Sequence, residues 1–509
     1  MMSTIEALPF GPGALAVVGI YVVSLLVIGG YAYSKKKNDS LEDFYLAGRS
    51  MGFAVLILTL YATQYSGNTF LGFSGAAYRE GLGFILSIHF MTAIVVAYLF
   101  FAPKLYRISR EHQFITPGDF IYHRFQSRVL CVLVTLLMVY ALCNFTLAQM
   151  KTLGTAFEGI SQGRIPMWVG VVGLAGVMLV YESLGGMRAV AWTDAIQGGI
   201  LLLGFGILLY LALNEIGSLP AAVSRLASDP ETVKKVLPPD AEGIRRWISF
   251  FLMVGLGAAI YPQAIQRIYA ARNAVTLKRS LAVMAFLPLT TTLVAVLVGV
   301  LMAAHIPDLE SLVQGGGPSQ TVVPSETVFT LLCLEVMKAS EFGYWLVVML
   351  FAALLAAVMS TADSALLSIS SMVTKDIYGQ FIQPNADQAR LTRVGRWVTW
   401  GLMIPIVWTA LTYEGNLIQL LKLKFELLIQ CVPAIYFGIH FRWLTARTVI
   451  AGILVGLAVT LGLSWSGTLG LADVNHPRVW GFHSGVIGLA VNCLVCLTDT
   501  FRISRDSSR

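Results

Sequence analysis

Tyr61-Ala62-Thr63-Gln64-Tyr65-Ser66-Gly67-Asn68-Thr69 interrupts an apolar run that extends from 51 to 77. A helix that crosses a bilayer needs about 20 largely apolar residues, and Leu or Val would ordinarily fill its centre. Polar, β-branched and glycine residues at that depth let a helix unwind cheaply. Freed carbonyls are tolerated there only where they line a cavity or bind an ion. A second interruption, Gly255-Leu256-Gly257-Ala258-Ala259-Ile260-Tyr261-Pro262-Gln263, falls in the run from 247 to 271. Pro262 removes a helix hydrogen bond, and the glycines lower the cost of bending. Simple kinks at close helix contacts are the alternative reading of both.

Working outward, thirteen apolar runs are read as spans: 12 to 33, 51 to 77, 82 to 102, 129 to 157, 166 to 182, 190 to 213, 247 to 271, 279 to 304, 342 to 373, 394 to 413, 416 to 441, 446 to 465 and 479 to 498. Run length excludes a closed barrel, whose strands are about ten residues long. Only 12% of the 509 residues are charged, 56% are hydrophobic, and the mean hydropathy is +0.73. A soluble domain carries about twice that charged fraction, so lipid is the solvent for most of this chain. No polar stretch is long enough for an ordinary soluble domain, and the chain reads as one integral membrane domain, 1–509. The first run has no basic residue before it and Lys35, Lys36 and Lys37 after it, which reads as a retained span. Cys493 and Cys496 form a C-x-x-C, but the six cysteines lie in or beside apolar runs, and no disulfide framework is expected.

Five spans separate the two interruptions, and an odd offset inverts the second unit relative to the first. The architecture expected is therefore all-α, with inverted five-helix repeats of about 51–213 and 247–441, each beginning with a broken helix. Span 1 and spans 12 and 13 are additions. With the N-terminus outside, 23 of the 35 basic residues fall in cytoplasmic segments, among them Arg49, Arg188 and Arg267, and nine fall outside. That bias favours an external N-terminus and a cytoplasmic C-terminus in an inner membrane. It also explains the net charge of +7 without nucleic acid. The two longest outer segments, 214 to 246 and 305 to 341, read as external caps with short helices at 220 to 227 and 325 to 338.

Span 9 contains Ala357-Val358-Met359-Ser360-Thr361-Ala362-Asp363-Ser364-Ala365-Leu366-Leu367-Ser368. Ser360, Ser364 and Ser368 recur every four residues with Thr361 beside them, so hydroxyls share one helical face. A hard cation such as sodium takes oxygen ligands, and hydroxyls with backbone carbonyls supply them with little fixed charge. Small-residue helix packing is the bland alternative. Asp363 favours function, since a carboxylate at this depth costs about 2.5 to 3.5 kcal/mol on insertion scales. Asp194 is the other such acid, or else an interfacial charge at a helix N-terminus. A solute is expected among Tyr61, Gln64, Ser66, Asn68, Gly257, Tyr261 and Pro262 at the breaks, with Gln149 from span 4. Lys151 either partners a solute carboxylate or snorkels. Lys422, Lys424 and Glu426 read as a structural ion pair or a wetted face.

Asp43-Phe44-Tyr45-Leu46-Ala47-Gly48-Arg49, Gly185-Gly186-Met187-Arg188-Ala189-Val190-Ala191-Trp192-Thr193-Asp194 and Met359-Ser360-Thr361-Ala362-Asp363-Ser364 leading to Asp376-Ile377-Tyr378 resemble the sodium:solute symporter family along nearly the whole chain. Gly72-Phe73-Ser74-Gly75-Ala76-Ala77-Tyr78 is similar to its proline and pantothenate branch. The resemblance implies sodium held by the carbonyls of Ala62, Tyr65 and Ala357 and the hydroxyls of Ser360 and Thr361. It implies a second cation position at Asp194, Asp363 and Ser364. Proline carriers of the family have an acid where Gln64 stands, which weakens the case for proline itself.

Symport of a small organic solute, a carboxylate or amino-acid-like compound such as pantothenate, a monocarboxylate or an amino acid, is thus the function expected, with sodium co-transported. The same fold coupled to protons, a transporter-like sensor, and a channel are the rivals. Arg509 follows soon after the last run, so a signalling domain of the kind some relatives carry is not expected. No convergent nucleophile, base or metal cluster supports an enzyme. The protein is expected to work as a monomer.

Overall fold

The computed structural model describes residues 11–35, 38–160, 166–309, 313–314, 321–322, 325–412, 424–468 and 478–506. The first span is the helix Pro12–Ser34, with Pro12 in the first turn, where its missing N–H leaves no bond unmade. The second divides where its sequence turns polar: Phe53–Gln64 stops, Tyr65 (ψ 102) and Ser66 (ψ 175) are extended, and Gly67–Glu80 resumes. The seventh divides likewise into Ala241–Ala259 and Pro262–Ala270, bent by 47°. Pro262 opens the second segment, the one helical position that tolerates it. The two broken spans are tied backbone to backbone, the Met51 amide donating to Ala270 O at 3.1 Å and the Arg272 amide to Met51 O at 2.9 Å.

Spans 3 and 4 are Ser87–Glu111 and Arg128–Ile160. Spans 5 and 6 are not joined by a loop. Met167–Glu215 is continuous except at Gly186 (φ 51, ψ −145), where an added Cβ would lie 2.4 Å from Phe44 O. Only glycine adopts that conformation without strain, and it turns the chain between two spans in one residue. Span 8 is divided into Ala274–Met284, Leu287–Thr290 and Thr292–His305. Span 9 is an unbroken helix, Glu341–Met372, continued by a π-helical turn, Val373–Ile382. Gln388–Thr412 is span 10, and Ala446–Thr468 and Ser484–Asp506 form the C-terminal pair. The short helices expected in the long connections occur as Leu219–Ser228 and Val328–Ala339.

Among the described residues eight helices, or nine counting the bent pair, are long and apolar enough to cross a membrane. Their large exposed side chains, such as Ile20, Phe100, Leu203, Ile404 and Trp408, are apolar, as a lipid-facing surface requires. Span 9 packs against span 4 and the helix Met167–Glu215, and it is buried without interruption from Leu350 to Met372. A hydroxyl stripe on this helix therefore faces protein, not lipid.

Three arginines counted among cytoplasmic loop charges are not free. Arg267 is fully buried in Pro262–Ala270, Arg188 donates to Asp43 Oδ1 at 2.7 Å, and Arg49 donates to Phe114 O at 2.8 Å. Burial also pushes the Arg49 guanidinium below its ordinary pKa, with Glu42 opposing the shift. Their positions are explained by the partners that they meet, which a count of basic residues does not register.

Candidate functional site

The break in span 2 frees oxygen atoms. In an intact helix the Ser66 amide would donate to Ala62 O and the Thr69 amide to Tyr65 O. Here Ser66 N–H donates to Thr69 Oγ1 at 3.3 Å, and Thr69 N–H donates to Ser66 O at 2.8 Å. Span 9 passes this point with Ser360, Thr361, Asp363 and Ser364 all fully buried. Thr361 Oγ1 lies 2.7 Å from Ala357 O and 3.4 Å from Ala62 O, and Ser360 Oγ lies 3.3 Å from Ala357 O. Four of the five expected sodium ligands thus converge, two carbonyls and two hydroxyls. Tyr65 sits at the break, with its ring centroid 4.6 Å from that of Tyr61.

Asp194 is buried in span 6, so it is not an interfacial helix-end charge. Its Oδ2 accepts from Arg267 Nη2 at 2.8 Å and from the Thr59 hydroxyl. The same guanidinium donates to Ser364 Oγ at 2.6 Å, Thr59 Oγ1 at 2.7 Å and Gln263 O at 3.0 Å. Asp194 Oδ1 has no hydrogen-bond partner among the described residues. Asp363 accepts from the Tyr181 hydroxyl and lies 3.4 Å from Ser364 Oγ. The structure therefore brings Asp194, Asp363 and Ser364 together around an arginine that the sequence reading placed in a loop. The available signal was depth: Arg267 lies five residues beyond Pro262, inside the second half of a broken span.

The expected solute residues divide into groups. Tyr261 and Gly257 meet span 4 and span 11: the Tyr261 ring stacks on Phe145 at 5.6 Å and on Phe425 at 5.5 Å, and a Cβ at Gly257 would approach Phe425 to 3.0 Å. Gln149, one turn beyond Phe145, is buried, and its Oε1 has no hydrogen-bond partner among the described residues, as is also true of the Tyr261 hydroxyl. Gln64 donates to Tyr98 Oη at 2.5 Å. Tyr61 points elsewhere, its hydroxyl 2.7 Å from Thr291 Oγ1 in span 8. Ser66 and Pro262 are buried at the breaks, and Lys151 is half-buried. The side chain of Asn68 and all of Lys422 lie outside the described residues.

Lys424 forms no ion pair with Glu426. Residues two apart on a helix do not face each other: Glu426 packs on Gly485 of the last span, while Lys424 turns toward span 4. Its Nζ lies 3.3 Å from the Phe145 ring centroid, 4.9 Å from that of Phe425 and 5.3 Å from that of Tyr261. A desolvated cation–π contact is worth about 2 kcal/mol, against a penalty of several kcal/mol for a buried ion. Rings alone compensate part of that cost.

The model of the family described as "Sodium:solute symporter family" matches residues 44–456. The chain is 27% identical to the sodium/pantothenate symporter of Haemophilus influenzae, covering 94% of each, and 24% identical to the sodium/proline symporter of Escherichia coli, covering 94% of this chain and 92% of that one. A solved structure of a substrate-bound, outward-open Na+-coupled sialic acid symporter superposes with a TM-score of 0.78 at 18% identity, covering 97% of this chain and 98% of the other.

Proposed function

Because this chain belongs to the sodium:solute symporter family, a family of transporters and not of enzymes, we propose that it carries a small organic solute with a carboxyl group into the cell, coupled to sodium. The observation that carries the reading is the meeting of Thr361 Oγ1 with Ala62 O and Ala357 O. It joins the unbroken span 9 to the last helical turn before the break in span 2. Sodium placed there replaces the hydroxyl protons' bonds with ion–oxygen bonds from Ala62, Ala357, Ser360 and Thr361, with Tyr65 O as the fifth ligand. Span 2 is thereby held against span 9, and the same break presents Gln64 and Ser66 to the solute side, next to Tyr261, Gly257, Pro262 and Gln149. Tyr61, Asn68 and Lys151 are the outer members of that proposed set.

Asp194, Asp363 and Ser364 form the proposed second cation position. With both acids ionised, Arg267 leaves one net negative charge, which matches one monovalent cation. The protein is proposed to act as a monomer in an inner membrane, with the N-terminus outside and the C-terminus in the cytoplasm.

The test is uptake in proteoliposomes as sodium is varied at fixed pH. Ser360→Ala or Thr361→Ala removes one ligand oxygen, and the sodium needed for half-maximal uptake should rise by about tenfold or more while the fold is retained. Linkage also requires that sodium and solute tighten each other by the same factor. Uptake driven equally well by a proton gradient in sodium-free buffer would replace sodium with the proton as the coupling ion.

A further inference from the structure

We infer that Lys424, clamped among Phe145, Tyr261 and Phe425, is the specificity-determining residue of the solute site and selects an anionic solute over a zwitterionic one. The inference rests on the solute site proposed above and names the class of solute that it takes.

Three observations meet at this place. Lys424 is 1% exposed, and among the described residues it has no ion-pair or hydrogen-bond partner, only the three aromatic rings. Those rings are not a closed hydrophobic cluster elsewhere in the core: Tyr261 is the residue at the break of span 7, where Pro262 begins the second half-helix. Two polar atoms on the spans that carry the Tyr261 and Phe145 rings, the Tyr261 hydroxyl and Gln149 Oε1, are buried and have no hydrogen-bond partner among the described residues. Gln149 follows Phe145 by one helical turn and so lies on the same face of span 4.

A buried ammonium, an unpartnered phenol and an unpartnered amide oxygen form a set with two donors and one acceptor. A solute carboxylate accepts from Lys424 Nζ and the Tyr261 hydroxyl, and a hydroxyl or amide N–H on the same solute donates to Gln149 Oε1. The faces of Phe145 and Phe425 cover an apolar solute body. The geometry opposes a free α-ammonium group, because it would be placed near Lys424 with no acid to meet it, and Gln64, which donates to Tyr98, is neutral. The rings alone leave a buried ammonium under-compensated, and an anion that arrives with the solute supplies the rest.

The experiment is thermal unfolding of purified protein with acetate, pyruvate, butyrate, lactate and pantothenate, their uncharged amides, and proline, each in sodium and in choline buffer, for the parent, Lys424→Met and Lys424→Arg. Expected are a rise in unfolding temperature with at least one carboxylate and none with its amide or with proline, and an affinity at least about thirtyfold weaker in Lys424→Met. Lys424→Arg should retain a measurable part of the shift. Without solute, Lys424→Met should unfold at a higher temperature than the parent, since it removes an under-compensated buried charge. A merely structural lysine would give the opposite sign. Stabilisation by proline or by an amide, silence from every carboxylate, an unchanged affinity in Lys424→Met, or a lower unfolding temperature for solute-free Lys424→Met would each overturn the inference. A carboxylate shift that needs Lys424 but is the same in choline as in sodium leaves the inference standing and removes sodium coupling instead.

Discussion

Arg267 shows how much one side chain organises. Both it and Asp194 are fully buried, and the guanidinium contacts Thr59 of span 2, Asp194 of span 6 and Ser364 of span 9 at 2.6 to 2.8 Å. Removing one partner of such a pair leaves the other charge without compensation, which costs about 3–5 kcal/mol. Arg267→Met should therefore lower the thermal midpoint strongly, and Arg267→Met combined with Asp194→Asn should recover part of that loss, because Asp363 is then the one carboxylate of the pair left without the guanidinium. A double variant no more stable than the single one would show that the pair contributes through packing and not through charge. The sequence exposed Asp194 as an intramembrane acid but not its partner, because a basic residue near a helix end reads equally well as a loop charge. Lys424 was misread for a related reason: proximity to Glu426 along the chain suggested a pair, whereas the helix directs the two residues to opposite sides.

At the scale of elements, the decisive features are places where helices stop. The span 2 break follows from Gln64, Ser66 and Gly67, and the span 7 break follows from Pro262; both could be read directly, since they are local chemistry. The turn at Gly186 is a third such place. Its positive φ and the 2.4 Å approach of a hypothetical Cβ to Phe44 O join span 5 to span 6 without a loop. Gly186→Ala combines a glycine-only conformation with a steric collision, so a loss of about 2–3 kcal/mol or more is expected, read as a lower thermal midpoint and lower yield of folded protein. Gly199→Ala, where nothing lies within 4 Å of the added Cβ, is the control and should be near neutral. Equal behaviour of the two variants would mean that the turn relaxes without cost.

For the whole molecule, orientation is tested with reporters. One fused after Arg509 should be cytoplasmic, and one inserted in helix Leu219–Ser228 should be external; an external C-terminus would overturn the count of thirteen spans, which depends on an odd number. The tie between Met51 and Ala270 holds the two broken spans side by side, and the C-terminal pair is anchored to span 7 through Ser249 and His483 at 2.8 Å. What the sequence determined by itself was the solvent, the class of architecture, the two breaks and the hydroxyl face of span 9. Each is encoded within about 20 consecutive residues, through hydropathy, helical periodicity and the backbone chemistry of proline and glycine. Only the tertiary structure decided which buried charges meet. Arg267 reaches Asp194 across 73 positions, Thr361 reaches Ala62 across 299, and Lys424 of span 11 lies over Phe145 of span 4. Partners that distant are chosen by how helices pack, and no local pattern in the chain carries that information.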